Sequence, residues 1–83
     1  MEKKRLKCHV LKGMFSSERA VVVLLLNGKK SSAFVPANEV RGEVDRDGEV
    51  NVDVFRDRGA VWAVLPTEYR ETVPVNEQDL VSQ

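Results

Sequence analysis

Along much of the chain, apolar and polar residues alternate with a period of two. Leu6, Cys8 and Val10 form one series, Val50, Val52 and Val54 a second, and Val73 and Val75 a third. This is the pattern of strands with one buried face. Turn-forming residues interrupt it at Lys12-Gly13, Asn27-Gly28, Pro36, Asp47-Gly48, Arg58-Gly59 and Pro66. Such punctuation suits a meander, a sandwich or a small barrel. The pattern predicts strands near 5–11, 20–26, 30–35, 40–45, 49–55, 60–65 and 71–75. Valine occurs 15 times and isoleucine never, and valine's stiff χ1 favours a pleated surface over helix. Helix is confined to single turns. Pro36–Glu39 and Pro66–Tyr69 each begin with proline, and Asn76 is placed to cap a last turn carrying Leu80 and Val81.

Two hairpins are specified further. Asn27-Gly28 is the preferred dipeptide of a two-residue type I′ turn. That turn pairs Val21 with Phe34 and Val23 with Ser32 on one face, and Val22 with Ala33 on the other. At the next hairpin a two-residue loop would set Asp45, Glu43 and Arg41 against Val50, Val52 and Val54. A three-residue loop, Arg46-Asp47-Gly48, instead pairs Val44 with Val50, Gly42 with Val52 and Val40 with Val54, and sets Arg41 opposite Asp53. Gly48 then takes the left-handed place of a bulge. The segments 20–26 and 60–65 are apolar on both parities, so they belong in the middle of a sheet or against a partner chain. Two covers suit the outer face of 20–26: the loop 12–19, through Met14 and Phe15, or the same patch of a second subunit. The loop is nearer and needs no partner, so a monomer is expected ahead of a homodimer.

Length and charge narrow the function classes. Eighty-three residues hold one domain, with residues 1–4 expected as a flexible basic terminus. Hydrophobic residues make up 42% and charged residues 31%, which fits a folded domain. Thirteen basic and thirteen acidic side chains cancel, so the chain lacks the strongly basic balance of many nucleic-acid binders. The charges are polarised along the chain: residues 1–12 carry five basic groups against one acid, residues 39–83 five against eleven. The longest apolar run, Ala20–Leu26, is seven residues, short of the roughly 20 that cross a bilayer as a helix. No signal-peptide-like apolar stretch follows the basic start. The lone cysteine, Cys8, has no partner for an internal disulfide, and a reducing cytoplasm is the expected compartment.

Candidate chemistry is sparse. Cys8 and the only histidine, His9, are adjacent on a strand and point to opposite faces, so they form no nucleophile–base pair. Cys8 shares parity with Leu6 and Val10 and is expected in the core; His9 shares parity with Arg5 and Lys7 and is expected in solvent. Two Cys or His residues fall short of a structural zinc site. Glu43, Asp45, Asp47 and Gly48 align with part of a calcium loop, but Val54 stands where the bidentate glutamate belongs and no helices flank the segment. The five glycines form no phosphate-cradling cluster. The reading is therefore non-enzymatic, with no catalytic residue, metal or cofactor.

Phe55 carries the strongest functional signal. It lies on the face opposite the valines of its strand, and Arg56 and Arg58 follow it, a composition typical of interaction hot spots. If the loop spans Arg56 to Gly59, Trp62 joins that outward face; a three-residue loop turns Trp62 inward against Val54. The need of a small domain for its one tryptophan in the core favours the inward placement, with Phe15 and Phe34 as further core members.

Leu65-Pro66-Thr67-Glu68-Tyr69-Arg70 resembles the Ile-Pro-Ser-Asn-Tyr stretch of peptide-binding SH3 domains. In that family the stretch is a short helical turn before the last strand, and its Pro and Tyr line a groove for proline-rich peptides; the matching residues are Pro66 and Tyr69. The resemblance covers six residues, without the family's Ala-Leu-Tyr-Asp-Tyr stretch. It implies barrel topology. The expected fold is thus all-β, a small SH3-like barrel of six or seven short antiparallel strands with one or two single-turn helices, ahead of an OB-like barrel. The expected function is a protein-binding module using Phe55, Arg56, Arg58, Trp62 and Tyr69. The alternative is nucleic-acid binding through Lys3, Lys4, Arg5, Lys7 and Lys12, with His9 beside them.

Overall fold

A computed structural model of the chain describes residues 1–83. Eight strands form one curled antiparallel sheet: β1 (Glu2–Lys12), β2 (Glu18–Leu24), β3 (Lys30–Pro36), β4 (Val40–Arg41), β5 (Asp47–Asp57), β6 (Ala60–Val64), β7 (Thr72–Val75) and β8 (Leu80–Ser82). The order across the sheet is β3-β2-β1-β5-β6-β7, with β4 added to β5 and β8 to β1. The result is an all-β half-barrel consistent with a small SH3-like barrel. Lone 3-10 turns at Ala37–Glu39 and Glu77–Asp79 are its only helical pieces.

The two 11-residue strands β1 and β5 set the curvature. One edge of β1 pairs with β5 over Glu2–His9; the other pairs first with β8 at Lys4–Leu6, then with β2 at His9–Lys12. A strand shared in this way between different neighbours must bend. The inner face is small and uniform: Leu6, Cys8 and Val10 meet Val21, Val23, Val35, Val50, Val52, Val54, Ala63, Leu65 and Val75. No aromatic ring enters this buried cluster. The alternation read from the sequence holds in the middle of β1 and β5, where Leu6, Cys8, Val10, Val50, Val52 and Val54 are buried. The doubly apolar segments lie inside the sheet, β2 between β1 and β3, and β6 between β5 and β7.

Loop geometry departs from the sequence reading at each hairpin. Asn27-Gly28 is not a two-residue turn. Leu24 pairs with Lys30 and Val21 with Ala33, leaving the three-residue loop Leu26-Asn27-Gly28 with positive φ at Gly28 alone. Asn27 Oδ1 accepts the Lys29 N–H at 3.0 Å. The one-residue change turns Phe34 outward, opposite Ala20, and brings Val35 into the core. The three-residue loop expected at Arg46-Asp47-Gly48 also gives way. Val40 pairs with Val50 and Arg41 with Glu49, so β4 ends at Arg41, and Arg41 does not face Asp53. Residues 45 and 46 instead bond to β1, Asp45 N–H to Val10 O and Val10 N–H to Arg46 O. The shift by four keeps parity, so the valines of β5 remain inward. Gly48 is extended rather than left-handed; a Cβ there would lie 2.2 Å from the Arg41 carbonyl oxygen.

Four further expectations are corrected. The terminus is not a loose arm, because Glu2, Lys3 and Lys4 pair with Val54, Asp53 and Val52. The stretch 66–70 is a turn closed by Arg70 N–H to Thr67 O, not a helical turn. The 3-10 turn before the last strand is Glu77–Asp79, entered from Asn76 without a side-chain cap; Leu80 and Val81 then pair with β1 as β8. Finally, Met14 and Phe15 do not cover β2. Their loop folds on itself through Met14 N–H to Glu18 Oε2 and Glu18 N–H to Phe15 O. Met14 stays 76% and Phe15 69% exposed.

Candidate functional site

Of the five residues expected to bind a partner, the fold brings two together. Phe55 and Trp62 face each other across β5 and β6 on the outer face, stacked with ring centroids 6.4 Å apart and planes 11° apart. Trp62 is therefore not inward, as its size had favoured. The loop is Arg58-Gly59, both at positive φ, a two-residue type I′ turn that sends Ala63 inward and the indole out. Pro74 of β7 lies next to Trp62 and extends the ridge. All three are half-buried, so each ring shields its neighbour.

Arg56 is not part of that ridge. It sits on the opposite parity and bridges Glu2 and Glu77, with Nη2 2.6 Å from Glu77 Oε1. The pair holds the Glu2 carboxyl below the usual carboxylate range and raises the guanidinium. Its role is to tie β1, β5 and the Glu77–Asp79 turn at one end of the barrel. Arg58 stands exposed at the hairpin tip. Tyr69 belongs to another surface, described below.

The basic residues of β1 face acids of β5. Lys3 pairs with Asp53, Arg5 donates to Glu49 Oε1 at 2.7 Å, and His9 Nδ1 lies 3.0 Å from Asp47 Oδ1. Arg70, and Lys3 after it, hold the Asp53 carboxyl below its ordinary value. Lys4, Lys7 and Lys12 make no ion pair; Lys7 lies opposite Glu49, Lys4 opposite Val52 and Lys12 opposite Arg19 of β2. Cys8 is buried, and that burial, with Glu49 and Asp47 nearby, pushes its thiol up to about 11. A thiol so disposed is a poor nucleophile at neutral pH. No group of three or more His, Cys, Asp or Glu comes together to hold a metal. No helix is long and apolar enough to cross a membrane.

A second apolar surface holds Pro66 and Tyr69, which the sequence reading named, and Phe34 and Pro36, which it missed. A groove of about 610 Å³ runs between the open edge of β3 and the turn that follows β6. Its apolar walls are Phe34 and Pro36 on one side and Pro66 and Tyr69 on the other. Phe34 is 53% and Tyr69 84% exposed. Phe34 was masked because the Asn-Gly dipeptide suggested the wrong register. With a three-residue loop, the same alternation places it outside. Compared with protein-family models, with curated proteins and with solved structures, the chain matches none at a significant level.

Proposed function

We propose that the chain is a non-catalytic module that binds a protein partner. The observation that carries this reading is the exposure of Phe34 and Tyr69 across one groove, in a domain whose one stacked ring pair, Phe55 and Trp62, is half-buried. Leaving large apolar side chains in water forgoes roughly 1.5–3 kcal/mol each, and partner burial recovers it. The Phe55–Trp62–Pro74 ridge with Arg58 is a secondary contact surface on the same reading. Nucleic-acid binding through Lys4, Lys7 and Lys12 is the competing proposal; Glu49 opposite Lys7, and the ion pairs that occupy Lys3 and Arg5, count against it.

The test is affinity capture from nuclease-treated lysate of the source cell, with the wild-type chain and a Phe34→Ser/Tyr69→Ala variant. A protein retained by the former and lost by the latter supports the reading. Retention of RNA or DNA from untreated lysate, falling steeply with salt and lost on replacing Lys4, Lys7 and Lys12 by Ala, would overturn it.

A further inference from the structure

The edge of β3 has a definite set of free main-chain groups. Leu25 N–H bonds to Lys29 O and Ala37 N–H to Ser17 O, at 2.7 and 2.8 Å. In an antiparallel ladder, alternate residues face the same neighbour. Residues 29, 31, 33, 35 and 37 therefore bond toward β2, and Lys30, Ser32, Phe34 and Pro36 turn their main-chain groups away from it. Pro36 fits this assignment, since its missing N–H falls on the side where no ladder bond is lost. β2 is the only strand paired with β3, and no side chain bonds to the main chain of Lys30, Ser32 or Phe34. An open edge of this kind is a template for another extended chain.

The groove beside that edge is also charged with one sign. Its ionisable wall residues near the rings are Glu18, Glu68 and Glu71, with no lysine or arginine among the lining groups. None of the three carboxylates has an ion-pair partner: Glu18 accepts only the Met14 N–H, and Glu68 and Glu71 accept from no donor. The opposite wall is the turn Pro66–Glu71, closed internally by Leu65 N–H to Glu71 O and Glu71 N–H to Thr67 Oγ1. One wall is a strand edge and the other a self-contained turn, so the space between admits a single extended chain in preference to the edge of a second sheet.

Resting on the binding reading above, we infer that this groove takes an extended, basic peptide segment of a partner protein, which adds a strand to β3. The segment exchanges main-chain hydrogen bonds with Ser32 and Phe34. Alternate side chains contact Phe34 and Tyr69, and lysines or arginines reach Glu68 and Glu71.

Random peptides of about ten residues, displayed on phage, are selected against the intact chain and counter-selected against the folded Phe34→Ser/Tyr69→Ala variant. A surviving peptide is synthesised and titrated. The expected peptide is rich in Lys or Arg and slows amide exchange at Ser32 and Phe34. Its binding is lost on N-methylation of alternate residues and kept on methylation of the intervening ones. Glu68→Gln/Glu71→Gln, both on exposed side chains, weakens it by about fivefold at low salt. Peptides that are neutral or acidic, or that bind without protecting Ser32 and Phe34, overturn strand addition while leaving the groove a binding surface. Failure of every peptide to depend on Phe34 and Tyr69 overturns both readings. Protection of those two amides that rises with concentration of the chain alone, alongside dimers in sedimentation equilibrium, overturns the inference in favour of a second copy.

Discussion

The β2–β3 and β5–β6 hairpins each turn at a polar residue followed by glycine, and they do so in opposite ways. Asn27-Gly28 is the dipeptide best suited to a two-residue type I′ turn, yet it lies in a three-residue loop. Arg58-Gly59 is poorly suited, since arginine resists positive φ, yet it forms the two-residue turn with Arg58 at φ 54°. The difference lies in what the strands must bury. A two-residue loop at Asn27-Gly28 puts Phe34 opposite Val21; a three-residue loop before Ala60 puts Trp62 opposite Val54. Both would push a ring into an interior lined by valine, alanine and leucine, where overpacking costs roughly 1–3 kcal/mol. The observed loops put Ala33 and Ala63 at those places instead. Ring size, acting through strand parity, overrides the preference of the turn dipeptide.

The largest effect that tests this is a charge on one parity of β2. Val21→Asp buries an unpaired carboxylate at a fully enclosed position and is expected to cost more than about 3 kcal/mol. Val22→Asp, on the outer face, should cost less than about 1 kcal/mol. Urea unfolding of both variants tests the premise that Val21 faces the core; the reverse order would put Val22 there, and a two-residue loop would then leave Phe34 outside without conflict.

Next in size is a contrast among glycines. Gly48→Ala brings a Cβ against the backbone oxygen of Arg41, and about 2 kcal/mol or more is expected from forcing β4 and β5 apart. Gly28→Ala and Gly59→Ala meet no atom within 4 Å, and only positive φ opposes them, at about 1 kcal/mol each. Equal costs at all three, measured by thermal melts, would return Gly48 to a conformational role.

A double-mutant cycle on Phe55→Ala and Trp62→Ala probes the second hairpin directly. Stacked rings on one face predict a coupling of about 0.5–1.5 kcal/mol. An inward Trp62 would instead give a large single-site cost and no coupling to Phe55. The smallest effect is at the turn itself. Arg58→Asn should stabilise by about 0.5 kcal/mol, because asparagine tolerates positive φ. Asn27→Arg should cost about the same through loss of the bond to the Lys29 N–H.

The sequence by itself determined the all-β class, the inward series Leu6-Cys8-Val10 and Val50-Val52-Val54, and the outward Phe55. Each follows from local periodicity, which one strand expresses without reference to its neighbours. Loop lengths, the pairing of Arg56 with Glu2 and Glu77, the side of Trp62 and the groove of Phe34 and Tyr69 were decided only by the tertiary structure. Phe34 and Tyr69 are 35 positions apart in the chain, and their meeting depends on where β3 ends against the turn after β6. Strand 80–82 was likewise hidden, because three residues carry too little periodicity to be read until β1 offers an edge to pair with. Periodicity tells a strand which face to bury; the width of the shared interior tells two strands which residues meet.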